Sequence, residues 1–342
     1  MVDQFLFPVS KVKDIKDPYA RFKIFNEERA ETNEKSASKI RIGNDYLYGY
    51  EKKLYREDLE RELIQSKFHN FSRDFSFKIF KKLTDRFNFP KLMGIANITP
   101  DSFYPESRFT KLDELNRLYL CKPDIIDAGG ESTRPGAETV NPKDEQNRLK
   151  FFFDNLPEND IEISLDTRNT STAKMFSQKI DYINDISGFS SSRMIDIART
   201  GKKKCIVMHM RGTPETMNSL VDYDDLIAEI NMFFFERVGS MLDYGIKPDR
   251  IIIDPGVGFS KTSEGNMSLI ANAISFSIGP EVLFGTSRKS FIGKLTGSNV
   301  QERLPETIAT SLHLAMNSVD ILRVHDVNEN RNALIMLQQL LL

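Results

Sequence analysis

Eight short, mainly apolar runs, LMGIANIT, DIIDAGG, IEISLDT, YINDIS, CIVMHM, RIIIDPG, VLFGTSRK and ILRVHD, each carry polar residues toward their ends. Runs of Ile, Val and Leu too short for helices, with polar alternation only in IEISLDT, predict parallel strands buried on both faces. Asn97, Asp127, Asp166, Asn184, Asp254, Lys289, Arg323 and His325 stand at or just past the run ends. In a barrel of parallel strands that end is the one that carries chemistry.

Helix-like stretches separate the runs: residues 169–179, 191–200, 222–244, 266–277 and 302–318, with a shorter one around 112–120. Alternating strand and helix predicts an α/β fold with a parallel sheet, and eight repeats over about 250 residues favour a closed (β/α)8 TIM barrel. The barrel is assigned to residues 91–342. Residues 1–90 form an N-terminal extension of mildly basic balance. From Tyr50 to Phe89 its apolar residues, among them Leu54, Leu59, Phe68, Phe71, Phe75 and Ile79, recur at roughly helical spacing, so the extension is expected to be mostly helical in its second half. Phe89-Pro90 ends that pattern. The Lys, Arg and Phe mixture of residues 67–86 has the composition of a nucleic-acid surface. Its spacing instead predicts an apolar face packed on the barrel or on a second subunit.

Composition narrows the function classes. A net charge of −2 with 28% charged and 40% hydrophobic residues supplies no bulk attraction to nucleic acid or membrane. No run reaches the length of a membrane span and the N-terminus lacks a signal pattern, so a cytoplasmic protein is expected. The two cysteines, Cys121 and Cys205, suit a reducing compartment. The glycosylation-like triplets at Asn97, Asn169 and Asn266 are read as chance matches.

After the second run, DAGGESTRPG places two glycines before Thr133 and Arg134, which predicts an anion-binding loop: a freed backbone bearing a hydroxyl and a guanidinium fork. Gly256-Val257-Gly258-Phe259-Ser260-Lys261-Thr262 fails as a nucleotide phosphate loop because Ser260 stands where a glycine must precede the lysine. Lys261 is expected to be solvated or near a ring pocket. His209 and His313 read as structural and His69 as a surface residue.

The set MGIANITPDSF, DAGGESTRPGA, SLDT, INDISG, MHMRGTP, DPGVGF, GTSRKSFIG and RVHDV, in that order from residue 92 onward, resembles the dihydropteroate synthase family of pterin-binding barrels. None of the matches falls in residues 1–90. The resemblance implies a transferase of folate biosynthesis. It condenses (7,8-dihydropterin-6-yl)methyl diphosphate with 4-aminobenzoate to give 7,8-dihydropteroate and diphosphate. It also implies a homodimer and a sulfonamide target.

The resemblance assigns the pterin to Asp166, Asn184, Asp254 and Lys289. A carboxylate accepting from the amino group and ring N–H of a flat guanine-like edge suits that ring. It assigns the diphosphate to Asn97, Arg134, Arg323 and His325, with Lys289, Arg323 and His325 as the catalytic set supplying cations and donors to the leaving group. Asn97 is the implied ligand of Mg²⁺, which keeps most of its waters and borrows phosphate oxygens. Thr133, Pro135, Phe103, Phe259 and Ser287 are implied around the aminobenzoate. Asp127 is left open between substrate contact and support.

The chain departs from the family's pattern at Tyr104-Pro105-Glu106-Ser107-Arg108, where Ser-Asp-Gly-Gly is usual, at Val257 and at Gly265. Two other readings fit part of the sequence. A pterin-binding methyltransferase barrel would leave Arg134, Arg323 and His325 with no diphosphate to hold. An inactive barrel with a regulatory role would account for the altered first loop and the extension.

Overall fold

The computed structural model describes residues 4–11, 20–26, 38–42, 45–54, 79, 81–85, 87–98, 105–131, 140–157 and 160–342. The eight expected strands are all present: β5 (Lys91–Asn97), β6 (Ile125–Gly129), β7 (Glu162–Asp166), β8 (Tyr182–Asp185), β9 (Lys204–Met208), β10 (Ile251–Asp254), β11 (Glu281–Phe284) and β12 (Ile321–Val324). They run parallel and close into a barrel, with β12 pairing β5. Every strand is followed by a helix: α1 (Pro105–Leu120), α2 (Pro142–Asn155), α3 (Thr170–Phe176), α4 (Ser192–Thr200), α5 (Leu226–Asp243), α6 (Ser263–Ala271), α7 (Ser290–Thr296) with α8 (Leu304–Met316), and α9 (Val327–Leu341).

Local chemistry sets these helix starts. Pro142 opens α2 behind Asn141, whose side chain accepts from Lys143 N, and Asp225 caps α5 by accepting from Ala228 N. The stretch around 112–120 is longer than its sequence suggests. Pro105 begins a helix of 16 residues, since proline is well placed in a first turn whose N–H groups have no intrahelical partner. In residues 266–277 the helix ends at Ala271 and a 3-10 turn, Ala273–Phe276, takes over.

The barrel interior follows the two-residue period of a strand. Met93, Ile125, Tyr182, Ile206, Ile252, Leu283 and Ile321, one from every strand but β7, form a buried inner cluster. Two residues beyond Ile125, Tyr182, Ile252 and Ile321 come Asp127, Asn184, Asp254 and Arg323. The same alternation that fills the middle of the barrel therefore turns these four polar groups inward at its C-terminal rim. The opposite end is shut: Glu162 accepts from Tyr182 Oη (2.7 Å), Lys204 Nζ (2.9 Å) and Lys91 Nζ (3.0 Å). These bonds hold its carboxyl down at about 2 against the cost of burial.

The extension departs from expectation. Residues 4–54 contribute an antiparallel sheet of β1 (Gln4–Pro8), β2 (Ala20–Asn26), β3 (Ser38–Ile42) and β4 (Asp45–Leu54), in the order β1-β2-β4-β3. Tyr50 to Leu54, read as the start of a helical stretch, end a strand instead. Ile79 and Leu83, one helical turn apart, are buried, while residues 55–78, with His69, lie outside the described residues. Leu6, Phe22 and Ile24 join the same apolar core as the barrel helices. Polar ties reinforce the seam: Lys23 Nζ meets Asp225 Oδ2 at 2.5 Å, and Lys82 Nζ meets Asp320 Oδ2 at 2.5 Å beneath β11 and β12. Among the described residues no helix is long and apolar enough to cross a membrane.

Candidate active site

Four carboxylate and amide side chains and two cations converge at the C-terminal rim. Arg323, from β12, donates through Nε to Asp127 Oδ2 (2.6 Å) and through Nη2 to Asp166 Oδ2 (3.0 Å), spanning the mouth to β6 and β7. Asn184 Nδ2, from β8, donates to the same Asp127 oxygen at 3.2 Å. Asp127 is fully buried and its Oδ1 has no partner among the described residues. It thus works as the anchor that aims Arg323 and Asn184, a role the open reading of the sequence left undecided. Two guanidinium N–H groups are spent on carboxylates and three stay available to an anion.

Asp254 sits across the mouth on β10. Its Oδ1 accepts from Gly256 N at 2.8 Å. Burial pushes its carboxyl up, opposed by that bond and by Lys289. Lys289 arrives from the loop after β11. Arg288 before it adopts the left-handed region at φ 55 and sends its guanidinium to Asp326, Nε to Oδ2 at 2.9 Å, so the two neighbouring cations serve different partners. Lys289 Nζ lies 4.4 Å from the centre of the Phe259 ring, a cation–π contact. Burial and the nearby Arg323 bring its ammonium down to about 8. Gly258, at φ +86, lets Lys289 cross: a Cβ there would stand 3.2 Å from Lys289 Cδ.

Within the expected set of cations and donors, His325 belongs with the donors. Burial, then repulsion from Arg323 and Arg288, lower it to about 4, so it is neutral at physiological pH. Ser287 Oγ accepts from His325 N (3.3 Å) and lies 3.0 Å from His325 Nδ1. With its lone pair engaged by the backbone, the hydroxyl can donate to Nδ1, leaving Nε2 to carry the ring proton. Asn97 ends β5 with an exposed side chain. Phe103, Thr133, Arg134 and Pro135 lie outside the described residues, as does Tyr104.

Burial raises the Asp166 carboxyl to about 7, with repulsion from Asp127 adding to the shift and Arg323 opposing it. A buried acid whose folded value exceeds its unfolded value of 3.8 favours the fold fully only below that value. Its contribution is lost as pH rises through about 7. Asp166→Asn is therefore expected to raise the melting temperature relative to wild type, with a gap wider at about pH 8 than at about pH 5. Melting curves at the two pH values check this; a gap that narrows with pH would place the strain elsewhere.

Two residues of the site carry little sequence signal. Lys261, expected to be solvated or near a ring pocket, is buried beside His209, its Nζ 3.1 Å from Nδ1. Asn266 is buried, accepts from Gly258 N at 2.6 Å and donates to Thr262 O at 2.8 Å, which also disposes of its glycosylation-like triplet. Only its place one helical turn past Thr262 hints at that role.

The profile of the pterin binding enzymes matches residues 93–325. A dihydropteroate synthase of Synechocystis sp. is 42% identical over 245 residues, covering 69% of this chain and 85% of that protein. The Xanthomonas albilineans dihydropteroate synthase solved with 4-aminobenzoic acid superposes with a TM-score of 0.68 at 32% identity, covering 74% of this chain and 93% of that one. The Burkholderia cenocepacia dihydropteroate synthase complexed with 7,8-dihydropteroate gives 0.67 at 32% identity, with 73% and 91% covered.

Proposed function

Because this chain belongs to the dihydropteroate synthase family of pterin binding enzymes, we propose that its barrel mouth divides into a pterin floor, a diphosphate clamp and an aminobenzoate shelf. The enzyme is a transferase that condenses (7,8-dihydropterin-6-yl)methyl diphosphate with 4-aminobenzoate. The methylene C–O bond breaks and a C–N bond forms. Diphosphate departs with the electron pair, and the amine gives up one proton.

Asp254 reads the amino group and ring N–H of the pterin, because it is a buried carboxylate with one oxygen held by Gly256 N and the other open. Asn184, its amide N–H spent on Asp127, offers its carbonyl oxygen beside it. Lys289 donates to the ring's acceptor atoms, and Asp166 closes the far edge. Arg323, with N–H groups to spare, meets the negative charge that develops on the leaving diphosphate, joined by Arg134 and by the Nε2–H of neutral His325. A neutral donor costs less to hold beside two cations than a third charge would.

The amine is already a neutral nucleophile, so no covalent intermediate on the protein is needed. Phe259, Phe103 and Pro135 flank its ring, with Ser287 and Thr133 near its carboxylate. Asn97, exposed at the end of β5, would hold Mg²⁺ through its neutral side-chain oxygen. A single neutral oxygen can anchor an ion that takes its remaining ligands from water and phosphate. When bound, the ion neutralises diphosphate charge. The homodimer and a cytoplasmic setting rest on the family resemblance, the latter in keeping with the free thiols of Cys121 and Cys205.

The observation that carries this reading is the convergence of Asp127, Asp166, Asp254, Lys289 and Arg323, contributed by five different strands or their following loops, on one rim. A coupled assay of diphosphate release tests it. Release is expected to depend on 4-aminobenzoate; release at the same rate without it, or none with it, would refute the assigned division of labour.

A further inference from the structure

The loop from Pro255 to Thr262 is folded unusually tightly. Gly256, Gly258 and Ser260 all occupy positive φ, at +70, +86 and +47, and a Cβ on Gly256 would stand 2.1 Å from His209 O. For serine that region is uncommon and must be held by its surroundings. The hold comes from the loop after β9. Ser260 Oγ accepts from Arg211 N at 3.0 Å, and Ser260 O accepts from Tyr223 Oη at 3.1 Å. Beneath it Lys261 Nζ is buried against three acceptors, Phe259 O (2.8 Å), His209 Nδ1 (3.1 Å) and His209 O (3.4 Å). These contacts enclose the Lys261 nitrogen, the shortest of them to Phe259 O.

We propose that Lys261 is a positioning residue for the second substrate: by gripping Phe259 O it fixes the face that the Phe259 ring presents to Lys289 and the aminobenzoate. Three observations support it. The ring's other surroundings, Ile186, Met208 and Met217, are apolar and set no rotation about the backbone by themselves. The Lys289 ammonium already rests 4.4 Å over that ring. Burying a lysine is costly: burial brings the Lys261 ammonium down to about 7, Asp254 opposes the shift only from beyond hydrogen-bond range, and burial with Lys261 holds its neighbour His209 well below its usual range. What the lysine secures is backbone geometry at Phe259. A Lys261 contact with substrate is not part of the proposal.

This rests on the reading that the aminobenzoate ring lies beside Phe259, so the test carries a control for that reading. In the full-length enzyme, Lys261→Met is expected to raise KM for 4-aminobenzoate by about ten-fold while calorimetric affinity for a pterin analogue changes less than about two-fold. Ser260→Gly perturbs the same loop without touching a buried charge. It relaxes the left-handed residue but loses the Arg211 bond, and a smaller rise in the same KM is expected, which serves if Lys261→Met does not fold. Phe259→Ala is the control and must raise KM for the amine. If it does and neither loop variant does, Lys261 has no positioning role. If Phe259→Ala leaves KM unaltered, the ring's placement falls and the proposal with it. Equal loss of pterin and amine affinity in Lys261→Met would mean general damage to the mouth and would also overturn it.

Discussion

Arg323→Ala is expected to lower turnover by roughly 10²- to 10³-fold, the cost of removing a charged donor from developing negative charge, about 3 kcal/mol. The geometry adds a second expectation. In the wild type the guanidinium pairs with both Asp127 and Asp166, at 2.6 and 3.0 Å. Alanine leaves two buried carboxyls facing one another with no cation between them. Removing one partner of a buried charge set typically costs about 3 to 5 kcal/mol, so the variant is also expected to melt several degrees lower at neutral pH. The two effects separate experimentally. Arg323→Lys keeps a cation but loses the planar fork that reaches both Asp127 and Asp166. It is expected to recover much of the melting temperature and little of the turnover. Kinetics and melting curves on both variants would reject the clamp if either retained near-normal turnover.

Asp254→Asn is expected to weaken binding of a pterin analogue by about 10- to 100-fold, the usual range for a hydrogen bond to a charged acceptor. It is expected to leave the fold intact, because an amide oxygen still accepts from Gly256 N. The carboxyl of Asp254 is pushed up by burial. Replacing it by a neutral isostere removes an unfavourable charge, so the melting temperature should stay level or rise. Calorimetry with the analogue reads the first effect. Unaltered affinity would move pterin recognition to Asp166 and Asn184.

Much of this was legible along the chain because buried parallel strands leave an unmistakable composition: no polar residue interrupts Ile251-Ile252-Ile253, and the first one, Asp254, faces the mouth. The extension was not. Leu54 falls in the helical spacing, but the alternation of Tyr46, Tyr48 and Tyr50 outweighs it there and β4 runs on to Leu54, while residues 55–78 lie outside the described residues. The burial of Lys261 was hidden for a different reason. A lysine in a Gly- and Ser-rich loop is solvated in most proteins, and only three acceptors drawn from two segments about 50 residues apart in sequence make burial tolerable. The charge state of His325 was equally hidden, since it depends on Arg288 and Arg323 lying nearby, and no run of letters reports that distance.

The plug of Glu162, Tyr182, Lys204 and Lys91 has a bearing on traffic through the enzyme. With the lower end of the cylinder stoppered by ionic and phenolic contacts, every molecule must come and go through the same doorway. On the division of the mouth proposed above, the fused ring takes the floor and enters before the amine that lies above it.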